Sequence, residues 1–292
     1  MKKILLTLCL IFAWPLPVPA ADIPVWRVLW TILPEVEATR ADGVRFVASM
    51  SNADISAVME MARRAEHFIE SAAMGAVDLE MKVMLSRVPV TTLSTFSDGN
   101  TYVWQNDLPY DVQQEISEAR ADGDPYQLVI STVRLGDAND ALLGNYWCFG
   151  RDRYSAVRLL KGSDLSYLMP TSDNPYPEEP WIYPLCSCLS SFYVSLGYAV
   201  PGAHEAEDHG YRRMGDLGFN GYYKFYQDIL SAQVRDPKTG ARIGITPEMW
   251  WHMPEQRRHV DDNDKTFGGG GCDTCLGALA LMLCAAAVLK HR

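Results

Sequence analysis

Val25-Trp-Arg-Val-Leu-Trp-Thr-Ile-Leu33 is an unbroken apolar stretch, crowded with branched and aromatic side chains. That pattern predicts a buried β-strand. Arg45 to Met50 reads as its neighbour, joined to it through the polar turn around Asp42-Gly43. Ser51 or Asn52 can then cap a helix in which Ile55, Met59, Ala62, Ile69 and Ala73 recur at helical spacing until Gly75. From Val77 to Leu85, apolar residues alternate with Asp78, Glu80 and Lys82, which predicts a strand with one face partly solvated. Asp111 opens a second helix, with Val112, Ile116 and Ala119 inward and Gly123 as its stop. Tyr126–Val133 and Tyr154–Leu160 are further strands. Residues 21–170 therefore predict an α/β (α+β) unit, a mixed sheet with helices.

Residues 171–260 change character. A connector rich in proline and acid, Thr171–Pro180, leads to a helix over Pro184–Leu196 that stops at Gly197. Phe219, Tyr222, Tyr226 and Ile229 form one apolar helical stripe, for which core packing is the default reading. Asp236 to Gly240 is a turn, and Thr246-Pro247-Glu248 opens a last helix through Trp250 and Trp251. This half is expected to be mainly helical. Residues 261–271 are an acidic, then glycine-rich spacer.

Both ends read as addresses. Lys2 and Lys3 precede an apolar run, Ile4–Trp14, and Pro15-Leu-Pro-Val-Pro-Ala20-Ala21 follows. That order describes a secretory signal peptide over residues 1–20, cut between Ala20 and Ala21. At the other end, Leu276–Leu289 would span ~21 Å as a helix, short of a ~30 Å hydrocarbon core. Residues 272–292 thus predict a marginal transmembrane helix or a signal for an enzyme, with Lys290 and Arg292 cytoplasmic and the body outside.

The chain carries a net charge of −10 although both termini are basic, so the body is strongly acidic. Nucleic acid and anionic lipid headgroups are poor partners for such a surface. Of the body cysteines, Cys148 could bridge to Cys186 or Cys188, or all three could be buried thiols.

Gly268-Gly-Gly-Gly-Cys272-Asp, Leu276-Gly-Ala-Leu-Ala-Leu281 and the basic end together resemble C-terminal sorting signals of the Synerg-CTERM type, cousins of the GlyGly-CTERM and MYXO-CTERM tails. The resemblance implies an envelope address, a rhombosortase-like processing protease as partner, and processing at Gly270, Gly271 and Cys272. Cys275 departs from the pattern. A plain tail anchor is the alternative.

Residues ~175–251 resemble, more loosely, the catalytic half of secreted bacterial zinc-metallopeptidase-like proteins. The carriers are Pro175-Tyr-Pro-Glu-Glu179, Ser195-Leu-Gly-Tyr198, His204-Glu-Ala-Glu-Asp-His209 and Gly244-Ile-Thr-Pro-Glu248. In that family a His-Glu-x-x-His helix offers two imidazoles to one zinc and a glutamate to its water. The corresponding positions here are Tyr183, Pro184 and Ser187, which supply neither ligand nor base. The resemblance therefore implies a scaffold without hydrolytic machinery, no catalytic residue and no cofactor.

His204, Asp208 and His209 are the alternative metal ligands, and zinc there would make the chain a metal-dependent hydrolase. The histidines lie five apart, so they meet only in a loop. Glu178-Glu179 reads as surface charge on the connector, and His67, His252 and His259 as isolated. The expected protein is an exported, envelope-anchored binding domain; the alternatives are that hydrolase or a structural adhesion domain.

Overall fold

A computed structural model describes residues 22–39, 43–95, 101–134, 148–151, 154–159, 179–214 and 221–253. Strand β1 (Val25–Leu33) continues past Pro34 into β2 (Glu35–Thr39), which forms an antiparallel hairpin with β3 (Arg45–Ser49). Helix α1 (Asn52–Ala72) and strand β4 (Asp78–Leu85) follow, then the short pair β5 (Ser94–Thr95) and β6 (Thr101–Tyr102). Next come α2 (Tyr110–Ala121), β7 (Leu128–Arg134), β8 (Cys148–Arg151) and β9 (Tyr154–Leu159). Helices α3 (Ile182–Ser195) and α4 (Tyr223–Leu230), and a short hairpin of β10 (Val234–Arg235) with β11 (Arg242–Ile243), complete the described chain, apart from 3-10 turns at Gln105–Asp107 and Met249–Trp251.

Five strands form one sheet in the order β4-β1-β7-β9-β8. β1 lies between β4 and β7, parallel to both; β9 is parallel to β7, and only β8 runs the other way. A strand with parallel neighbours on both sides is covered on both faces, so β1 reads as a continuous apolar run. Its side chains alternate between two cores. Trp26, Val28, Trp30 and Ile32 pack with α1, α3 and α4, whereas Leu29 and Leu33 pack with α2 and the β2–β3 hairpin. The buried polar groups between β1 and β7 satisfy each other: Trp30 Nε1 donates to Thr132 Oγ1 at 2.9 Å, and the Thr31 and Ser131 hydroxyls lie 2.8 Å apart.

Helix α1 starts where its cap dictates. Ser51 Oγ accepts from the Asp54 amide and the Asp54 carboxylate accepts from the Ser51 amide, a reciprocal capping box. Val58, Met61, Ala62, Ala65 and Ile69 then form its sheet-facing stripe. Gly75, at φ +72°, turns the chain out of the helix. β4 is an edge strand, which explains its half-polar alternation: Leu79 is buried while Asp78 and Glu80 are exposed.

Two expectations need correction. Arg45–Ser49 is not a neighbour of β1; it pairs with β2, because Pro34 lets the chain leave the sheet and start a separate hairpin. The expected last helix is one 3-10 turn, in which Trp250 is buried and Trp251 exposed. The aromatic stripe does pack inward, since Tyr222, Tyr226 and Ile229 are all buried. Its helix starts at Tyr223, and Phe219 lies outside the described residues.

The mixed α/β content is evident, and the described part of the second half carries helices α3 and α4 beside the short β10–β11 hairpin. It is not set apart from the sheet: Trp181, Tyr193, Tyr226 and Trp250 share one core with Trp26 and Trp30. Trp26 Nε1 donates to the Trp250 carbonyl at 2.8 Å, with the two rings edge-on at 5.1 Å. Among the described residues no helix is long and apolar enough to cross a membrane. Residues 1–21, with Ala20 and Ala21, and the tail with Gly270, Gly271 and Cys272 lie outside them.

Candidate functional site

Tyr183, Pro184 and Ser187, the positions set against a zinc helix in the sequence, lie in the first turns of α3. Their surroundings are those of a core helix. Tyr183 and Pro184 are buried and Ser187 is half-buried; Leu185, Cys186, Cys188, Leu189 and Tyr193 are all at most 3% exposed. Pro184 sits in the first turn, where its missing N–H leaves no helix bond unmade. Tyr193 donates its hydroxyl to the Met249 carbonyl at 3.0 Å. Burial pushes the Cys186 thiol and the Tyr193 phenol well above their ordinary ranges. The chemistry this helix offers is packing.

The histidine loop is tied down locally. His209 Nδ1 lies 2.9 Å from the Arg235 carbonyl, its ring stacks on Phe225, and its Nε2 stands 3.8 Å from Glu205. Glu205 accepts the Gly202 amide, and Glu207 accepts the Tyr222 hydroxyl. Asp208 is exposed. Among the described residues no three His, Cys, Asp or Glu side chains gather to hold a metal ion, so His204, Asp208 and His209 are not brought together as a ligand set.

The fold itself directs attention to the carboxyl ends of the parallel strands. From β1 the chain crosses one face of the sheet through α1 to reach β4; from β4 it crosses the other face through α2 to reach β7, on the far side of β1. The connections therefore diverge between β1 and β7, and open α/β sheets bind ligands in the crevice outside such a point.

Here that crevice is bridged. Arg134, the last residue of β7, donates from Nη1 to Asp54 Oδ2 in the first turn of α1 at 2.8 Å. Over it stands the β2–β3 hairpin, whose register pairs Glu35 with Ser49 and Glu37 with Val47 on one face, and buries Val36 and Phe46 on the other. β2 is held from its second side by the segment at Val90, through Glu37 N–H to the Val90 carbonyl at 2.8 Å and Val90 N–H to the Glu35 carbonyl at 2.9 Å. The outer face of the hairpin, Pro89 and Arg134 enclose a cavity of about 490 Å³. Arg134 is matched by Asp54 and Glu37 by Arg45, whereas Glu35 makes no ion pair among the described residues. Among the described lining residues the acids, Glu35 and Glu37, outnumber the one base, Arg134.

Sequence reasoning missed Arg134 and Glu35, because strand order, not local pattern, makes them neighbours. It also misplaced Glu179. That side chain is buried, paired with Arg64 Nε at 2.7 Å, rather than part of a solvated connector, and Glu178 lies outside the described residues. No protein-family model, curated protein or solved structure matches the chain, so the site is read from its own geometry.

Proposed function

We propose that this chain is an exported cell-envelope protein whose α/β domain binds a cationic, peptide-like ligand at the carboxyl edge of its parallel strands without hydrolysing it. The export signal and the tail resembling Synerg-CTERM signals support the address. The observation that carries the ligand class is the hairpin face: Glu35 and Glu37, two residues apart on one side of β2, line a concave surface whose only unmatched charge among the described residues is Glu35. Side chains two apart on a strand stand ~7 Å apart, a spacing that suits successive contacts of an extended peptide. In this reading α3 is a metallopeptidase-like helix kept as scaffold, with Tyr183 and Pro184 packed rather than presented.

Titrating the purified protein with trilysine, trialanine and triglutamate tests the reading by calorimetry. Trilysine should bind saturably, and Glu35→Gln should weaken it about tenfold. Salt at ~0.5 M should weaken it as well. Preference for triglutamate, or indifference to Glu35→Gln, counts against it. Cleavage of the peptide by protein holding one zinc, lost with His204→Ala and His209→Ala, would restore the hydrolase alternative.

A further inference from the structure

Helix α1 has a second stripe beside the one that faces the sheet. Glu60, Arg63, Arg64, His67, Phe68 and Ser71 recur at intervals of three and four and lie along one side. With Glu179 and Trp181 at the entry to α3, and Gln227 on α4, they wall a separate cavity of about 370 Å³. Its floor is polar yet buried. The Glu179 carboxylate, 7% exposed, meets Arg64 Nε at 2.7 Å and Nη2 at 3.5 Å, and takes the Trp181 indole N–H at 2.6 Å. At the rim Arg63 pairs with Glu60 at 3.2 Å. Phe68 stands edge-on to Trp181 at 5.5 Å.

A buried ion pair contributes little to stability, because desolvation of both charges offsets their attraction. Desolvation is indeed felt here: it pushes the Glu179 carboxyl above its ordinary range against the opposing pull of Arg64 and Trp181. What such a pair does provide is a rigid, planar array of donors and acceptors beside the ring of Phe68. Both arginines are matched by acids, so the described lining residues carry no surplus charge that would select an ion. Its volume is at the small end of ligand pockets, ~300–1,000 Å³, enough for one ring rather than a chain segment.

We infer that this groove binds a single uncharged pyranose unit of a glycan, its C–H face against Phe68 and its hydroxyls shared among Arg63, Glu60, His67 and Gln227. Side-by-side donors and acceptors match vicinal hydroxyls, each of which both donates and accepts. The groove is distinct from the carboxyl-edge crevice, and the inference does not depend on that reading.

The test is saturation-transfer NMR and calorimetry on the purified full chain with glucose, galactose and N-acetylglucosamine to about 20 mM, with benzoate and inorganic phosphate as anionic probes. At least one sugar should bind saturably and insensitively to ~0.5 M salt. Arg63→Ala and Gln227→Ala, both at exposed positions, should each weaken it about tenfold with an unchanged urea midpoint, and Glu35→Gln should leave it untouched. Failure of all three sugars to saturate overturns the inference. So does binding that survives both variants, or salt-sensitive binding of benzoate or phosphate in place of sugar.

Discussion

Arg134 and Asp54 are 80 residues apart in sequence and 2.8 Å apart in space, and their contact fastens the end of β7 to the first turn of α1. Asp54 is committed twice, since the same Oδ2 that takes the arginine also accepts the Ser51 amide of the capping box. Both side chains are mostly buried, at 19% and 7% exposure. Removing one partner leaves the other charge desolvated. Arg134→Met should therefore cost about 3 kcal/mol in urea denaturation. Combining it with Asp54→Asn should cost less than the sum of the two single changes. Full additivity would mean that the two side chains do not act as a pair.

Gly244 is fixed by its backbone. It adopts φ +130°, and a Cβ there would sit 2.6 Å from the Ile229 carbonyl oxygen, which itself accepts the Ile245 amide at 2.7 Å. Neither contact can give way without disturbing the end of α4. Gly244→Ala should lower stability by about 2 kcal/mol or more, measured by thermal and urea unfolding. Gly240→Ala, whose Cβ meets nothing within 4 Å, should cost less.

Glu179 sets a pH dependence of known sign. Its pKa in the folded protein is raised above the ordinary 4.5, chiefly by burial, so the folded state holds that proton more tightly than the unfolded chain does. The stabilisation is complete below the ordinary carboxylate range and is lost as pH rises through the raised value. Relative to Glu179→Gln, which cannot titrate, the wild type should lose stability as pH climbs from 4.5 toward neutrality. Urea midpoints for both proteins across that range measure the trend. The opposite slope would mean that Arg64 and Trp181 outweigh burial and hold the carboxyl below its ordinary range, and no slope would place it in water.

On the envelope address proposed above, deleting residues 272–292 should send the protein into the medium. Fractionation of cells expressing the truncated chain decides this. Retention in the membrane fraction would mean that some other part of the chain holds it there.

Local pattern made much of the framework legible. Strand β1 is legible to the residue, Gly75 and Gly123 stop helices as expected, and Gly197, at φ +87°, ends α3. These features depend on side-chain periodicity and on the steric freedom of glycine, both written into neighbouring residues. What resisted reading was non-local. Glu35–Thr39 is a strand only because Arg45–Ser49 and Val90 pair with it, and its own pattern is too short to stand out. The carboxyl-edge cavity follows from β1 lying between β4 and β7, an order that no window of sequence encodes. Glu179 misled for the same reason, since its partner Arg64 is 115 residues away.

The first described strand is an inner one of its sheet, with Val25–Ile32 paired to Asp78–Leu85 on one side and Val28–Leu33 to Leu128–Val133 on the other. During synthesis, or passage N-terminus first through a channel, this greasy segment emerges long before either partner exists. Its first partner is complete about fifty residues later and its second about a hundred, and parallel pairing across such long loops is slow. Holding chaperones would meet their longest-lived target there, and a nascent chain halted short of residue 128 would be prone to clump through that segment.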